Sequence, residues 1–203
     1  GLSHGSHIRT DSLDLRIKQM THAKRWSELL AEWAAEGHSL WAENPNRWDS
    51  MGLPPIENLR ATQPDVFGAD ALSHRFPTLT DPEVACFYSM TDGWPLWLGS
   101  FWSALAPVAR VGLFRQSYPS AFDIALSSAP KAREIESPNV MVAKHEIHDS
   151  IVLSEPDSRE LVLSLPTGES CLYLFDSMKV FPNLFEFMAY QRRATFDWVR
   201  EVL

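Results

Sequence analysis

Residues 150–175 read SIVLSEPDSRELVLSLPTGESCLYLF, and this stretch decides the fold class. Three short runs, Ser150 to Leu153, Leu161 to Leu165 and Leu172 to Phe175, are rich in Ile, Val, Leu and Tyr. They are parted by the turn signals Glu155-Pro156-Asp157-Ser158 and Pro166-Thr167-Gly168-Glu169, so each run reads as a strand. Connectors this short join antiparallel neighbours. The alternation of Leu161, Leu163 and Leu165 against Val162 and Ser164 predicts a sheet with one buried face. A fourth run, Val140 to Ala143, precedes these and is closed off by His148-Asp149.

Outward from the meander the pattern turns helical. Apolar residues from Leu13 through Trp26, Leu29, Leu30, Trp33 and Trp41 recur at three- and four-residue steps, predicting a long helix over about Asp11 to Trp41. Asn44-Pro45-Asn46 stops it, and a short helix follows Leu53-Pro54-Pro55 to about Arg60. Residues 61–80, with Pro64, Gly68 and Pro77, read mostly as loop. Thr80 with Glu83 three residues on is a capping box, and Pro82 suits a first helical turn. Asp92-Gly93 is expected to end that helix. The aromatic run Trp94 to Trp102 is a strand pair or an irregular wall, Val108 to Phe114 a strand or short helix, and Ala121 to Ala132 a helix. A terminal helix is expected from Phe181 to about Leu203. The order is helices, an antiparallel meander and a closing helix: a single α+β domain with a twisted, mostly antiparallel sheet and packed helices. The domain is placed at 11–203 with a helical extension at 11–54. The opening Gly1-Leu2-Ser3-His4-Gly5-Ser6-His7 reads as an expression-tag remnant, so 1–10 are set aside.

The chain has 203 residues, 45% of them hydrophobic, enough for one packed core without staples. Eighteen Lys and Arg against 26 Asp and Glu leave a net charge of −8, which repels nucleic acid and anionic lipid and favours basic partners. No stretch approaches 18 uncharged apolar residues, so no membrane span is expected. Cys86 and Cys171 sit in apolar runs, as buried thiols or one disulfide, without metal-type spacing. The expected compartment is the cytoplasm.

Catalytic signatures are scarce. Glycine-rich nucleotide loops and the G-x-S-x-G elbow are missing from the sequence. His145 and His148 are three apart between predicted strands, whereas a zincin needs four on a helix. Asp149, Glu155, Asp157 and Glu160 supply acids for a carboxylate hydrolase, yet acids also favour turns for local hydrogen bonding. Cys86 falls mid-helix, away from a helix start that would activate it. Neither an enzyme nor a cofactor is expected. The charge is concentrated instead: Glu57 to Asp92 and His145 to Glu160 each carry −4, together the whole net charge. Such stretches are either a solvated surface or a steering patch for a basic protein. Trp26, Trp33 and Trp41 read as core, whereas Trp94 and Trp97 are core or interface.

The residues Thr78 to Gly93, with Pro82, Phe87-Tyr88 and Asp92-Gly93, resemble the SUKH superfamily, whose members are largely bacterial immunity proteins against polymorphic and contact-delivered toxins. The family's proline-started helix holds an aromatic pair and closes on an Asn-Gly or similar step; here Asp replaces the commoner Asn. The strands over 140–175 resemble its meander, and Phe181-Pro182-Asn183-Leu184-Phe185-Glu186-Phe187-Met188 its closing helix. The resemblance covers about residues 55–192 and implies an α+β fold without cofactor that binds a cognate toxin and occludes its active site. The partner is expected to present a basic active-site surface, as nucleases do. The binding residues expected are Asp92, Trp94, Trp97, Asp149, Glu155 and Asp157, on one face with Trp94 or Trp97 at its centre. A regulatory scaffold of the same fold and a small carboxylate hydrolase are the competing classes.

Overall fold

In the computed structural model, residues 7–98, 101–129, 131–132, 141–155, 158, 160–174 and 177–203 are described. The apolar stripe of the N-terminal segment produces one long helix, α1 (His7–Glu43). Trp26 and Trp33 are fully buried, and Leu40 and Trp41 pack at the margin of the core. Pro45 opens α2 (Pro45–Ser50), and a single 3-10 turn follows at Ile56–Asn58. The stretch read as loop contains a helix, α3 (Val66–Arg75). Asp65 nucleates it by accepting a hydrogen bond from the Gly68 amide at 2.9 Å, an N-cap that outweighs the glycine inside the first turn.

Helix α4 (Pro82–Tyr88) starts where its proline predicts, but its cap is Asp81 rather than Thr80. Asp81 Oδ1 accepts from the Glu83 amide at 2.9 Å, while the Thr80 hydroxyl donates to the Pro166 carbonyl at 2.9 Å. Asp81, one position nearer the helix, takes the cap, which leaves Thr80 to pin the 166–169 turn. At its far end α4 stops at Tyr88 rather than at Asp92-Gly93. Gly93 instead lets the chain enter a strand: its φ is +95°, and a Cβ there would lie 2.6 Å from the Leu105 carbonyl oxygen.

The aromatic run is a hairpin, β1 (Trp94–Leu98) with β2 (Phe101–Leu105), in which Trp94 faces Leu105 and Trp97 faces Trp102. A 3-10 turn at Val108–Arg110 leads into β3 (Gly112–Leu113). Next come α5 (Phe114–Ser117), α6 (Pro119–Ser127), and a small pair, β4 (Lys131–Ala132) with β5 (Met141–Val142). Of the run read at 140–143, Met141 and Val142 therefore pair with β4 and stay outside the main sheet. The stretch read as lying between strands is one helical turn, α7 (Lys144–His148), whose first amides are capped by Glu146 accepting from the Ala143 N–H at 2.7 Å.

The main sheet is completed by β6 (Ile151–Val152), β7 (Leu161–Ser164), β8 (Ser170–Leu174) and β9 (Ser177–Phe181), in the order β3-β6-β7-β8-β9 with antiparallel pairing throughout. Phe181 closes β9, so the last helix, α8 (Leu184–Val202), begins three residues later than expected, capped by Asn183. The fold is α+β, as the meander predicts.

The sheet departs from expectation in its faces, because β7 is buried on both. Val162, Ile151 and Phe181 enter a core with α1, α3, α4 and α8. Leu161, Leu163, Leu165, Cys171, Tyr173, Met178 and Val180 enter a second core with Phe114, Phe122, Ala125 and Ile147. The short helices α5 to α7 cover the Leu161, Leu163 and Leu165 face, and the long helices cover the Val162 face that alternation alone leaves to water. Cys86 and Cys171 belong to opposite sides of this sheet and are not joined. Among the described residues no helix is long and apolar enough to cross a membrane.

Candidate functional site

Two acids inside the fold are held by named donors. Glu83, 2% exposed, accepts from the Trp26 indole at 2.7 Å and from Arg25 at 2.8 Å, with His22 Nδ1 at 2.8 Å. Asp81 Oδ2 accepts from the Leu184 amide at 2.8 Å, so one carboxylate caps both α4 and α8. Burial raises the Asp81 carboxyl to about 6, the two amide donors opposing the rise. Burial, with the Glu83 charge beside it, likewise raises the Cys86 thiol to about 11. These groups join α1, α4 and α8, and their polar atoms point inward. Among the described residues no group of three or more His, Cys, Asp or Glu is placed to hold a metal ion. His148 meets Asp149 at 2.9 Å and Arg115 at 3.0 Å, on the outer side of α7.

Among the described residues, the expected binding residues are not centred on Trp94. Trp94 is buried, 2% exposed, and meets the Trp33 ring edge-on at 6.0 Å, so it belongs to the core. Its indole is drawn inward because β1 lies against α8 and α1 there. Trp97 lies on β1, with its side chain outside what the structure describes, and Asp157 lies outside the described residues. Asp149 pairs with His148 and sits 3.8 Å from Arg115. Glu155 pairs with Arg110 at 2.5 Å beyond the other end of β6 from Asp149. The acids therefore divide between the two ends of that strand.

Asp92 and Glu155 do come together. Asp92 Oδ1 accepts from the Val108 amide at 2.7 Å, and Glu155 holds Arg110 two residues on. Both charges, after burial itself, push the Tyr88 phenol upward; its hydroxyl donates to the Ala106 carbonyl at 2.9 Å. The hairpin base is fixed to the sheet at the same place, through the Leu105–Ser154 bridge and the Glu155 amide donating to the Ala104 carbonyl at 2.8 Å.

Helix α3 brings further residues to this end. A Cβ on Gly68 would lie 2.7 Å from Val108 Cγ1, so the first turn of α3 rests directly on the turn that Asp92 caps. Arg75, at the other end of α3, donates to the Val108 and Val111 carbonyls at 3.2 and 3.1 Å. On the outer side of that first turn Val66 is 49% and Phe67 90% exposed, with Asp65 and Asp70 exposed beside them. Reading 61–80 as loop hid this pair. The available signal was Asp65 three residues before Gly68, a cap followed at once by two apolar residues in a first turn.

The assembled site thus carries Asp92 and Glu155 at the base of the hairpin, with Asp65 and Asp70 exposed on the helix that rests on it. Comparison of the chain with family models, with curated proteins and with solved structures finds no match.

Proposed function

We propose that the chain is an immunity protein that binds a cognate bacterial toxin and neutralises it by covering a basic active site. The observation that carries this reading is the gathering of Asp65, Asp70, Asp92 and Glu155 at one end of a chain of net charge −8. A toxin that acts on phosphate-bearing substrates presents Lys and Arg there, and complementary charge speeds encounter and fixes orientation. The sequence resemblance to the SUKH superfamily supports the toxin class of partner. Such a protein works in the cytoplasm, where a delivered toxin meets its targets.

The test is co-expression with toxin domains encoded immediately upstream of this chain's gene, read as growth rescue, followed by binding kinetics at two salt concentrations. Rescue with a stoichiometric complex, whose association slows as salt rises, is expected. A toxin left active, or a complex formed only with a host protein whose loss leaves toxin sensitivity unchanged, overturns the immunity reading. The second outcome assigns the chain to the regulatory scaffolds.

A further inference from the structure

We propose that Val66 and Phe67 are the apolar anchor of this surface, and that they dock a protein segment presenting an apolar side chain or pocket flanked by Lys or Arg. The inference rests on the binding reading above and names the anchor and the partner's chemistry.

Single exposed apolar residues are ordinary on protein surfaces; Met20, Met51 and Ile124 are of that kind. Val66 and Phe67 differ because they are adjacent, on one helical turn held from three sides. The Asp65 cap fixes its start, Ala69 and Leu72 are buried beneath it, and Arg75 ties its far end to the Val108 and Val111 carbonyls. A rigid aromatic loses little freedom on binding, which is why such residues dominate interface energetics.

Charge selects the partner. Asp65 and Asp70 lie just before and after the anchor in the chain, and Asp92 and Glu155 hold the Val108–Arg110 turn on which Gly68 rests; with Arg75 and Arg110 these six carry a net charge of −2. Arg110 is engaged by Glu155, and Arg75 by backbone carbonyls and the Phe76 ring, so both cations already have partners within the protein, although both are exposed. A second copy meeting this face symmetrically would set like charge against like, which disfavours self-association there. A basic segment gains from both the ring and its rim.

The experiment uses the whole chain, isotope-labelled for amide shift mapping. Its probes are three peptides: an amphipathic Lys/Leu peptide, the same peptide with Ser for Leu, and a Glu/Leu peptide. The Lys/Leu peptide should shift the amides of Val66 to Asp70 and Val108 to Arg110, and the other two should not. Phe67→Ala should weaken binding about tenfold or more while thermal unfolding stays unchanged. Asp70→Lys should weaken binding and flatten its salt dependence. Shifts centred elsewhere, equal binding of the Glu/Leu peptide, or an unaltered Phe67→Ala variant would overturn the proposal. If Phe67→Ala still rescues growth from a toxin, the anchor is wrong and the immunity reading stands. If the peptide maps to Phe67 but no toxin is neutralised, the surface stands and the immunity reading falls.

Discussion

Replacing Glu83 by Ala tests what holds α1 to the rest of the domain. The carboxylate is 2% exposed and satisfies the buried Trp26 indole at 2.7 Å. Without it the indole N–H is left unpaired, a loss of about 1–3 kcal/mol. Arg25 and His22 are 41% and 35% exposed, so they can turn to water, and their pairing adds little after solvent screening. The space vacated by the side chain adds about 1 kcal/mol. The expected destabilisation is about 2–4 kcal/mol, or roughly 5–15 °C in Tm for a domain of this size. Urea unfolding followed by tryptophan fluorescence measures it, and Trp26→Phe with the double variant isolates the coupling. A loss below about 0.5 kcal/mol, or strictly additive single variants, would show that Glu83 does not clasp α1.

Three further outcomes follow from the same structure. The folded Asp81 carboxyl, at about 6, binds its proton more tightly than the unfolded group at 3.8, so its stabilising contribution is full below about pH 4 and lost as pH rises through 6. Urea unfolding at pH 4.5 and 7.5 should therefore show wild type losing stability relative to Asp81→Asn on going to the higher pH; the opposite sign refutes it. Cys86, raised to about 11, should alkylate with iodoacetamide at pH 8 about a hundredfold more slowly than an ordinary thiol, as mass spectrometry of the modified peptide measures. Val162→Ala should cost about 2 kcal/mol in urea unfolding because both faces of β7 are covered, whereas a strand facing water would lose under about 0.5 kcal/mol.

What the sequence makes legible is what local chemistry controls. The α1 stripe, the proline start of α4 and the meander of β6 to β8 each follow from signals within a few residues. The failures are tertiary. Nothing near Val162 announces that α1 and α4 will cover it, so alternation misassigns its face. Trp94 follows a turn like an exposed loop residue, yet Trp33, sixty-one positions earlier, takes it into the core. The acids behave similarly: Asp149 and Glu155 are near in sequence, but β6 between them sends them to opposite ends. Conversely Asp92 and Glu155 are distant in sequence and are brought together by the Val108–Arg110 turn.

The pairing of the first and last helices governs how this chain can fold as it is made. Arg192 on α8 bonds Glu32 and Glu36 on α1 at 2.7 and 2.8 Å, Arg200 reaches Glu36 as well, and Trp33 meets Phe196 at 6.4 Å. These contacts span about 160 residues of sequence, so they cannot form until α8 has been synthesised. At roughly 5–20 residues per second, Trp33 waits about ten seconds or more on the ribosome without its C-terminal neighbour. During that interval the nascent chain carries a long helix with an uncovered aromatic stripe, the kind of surface that chaperones hold. Loss of the last helix should accordingly produce insoluble protein rather than a smaller folded one.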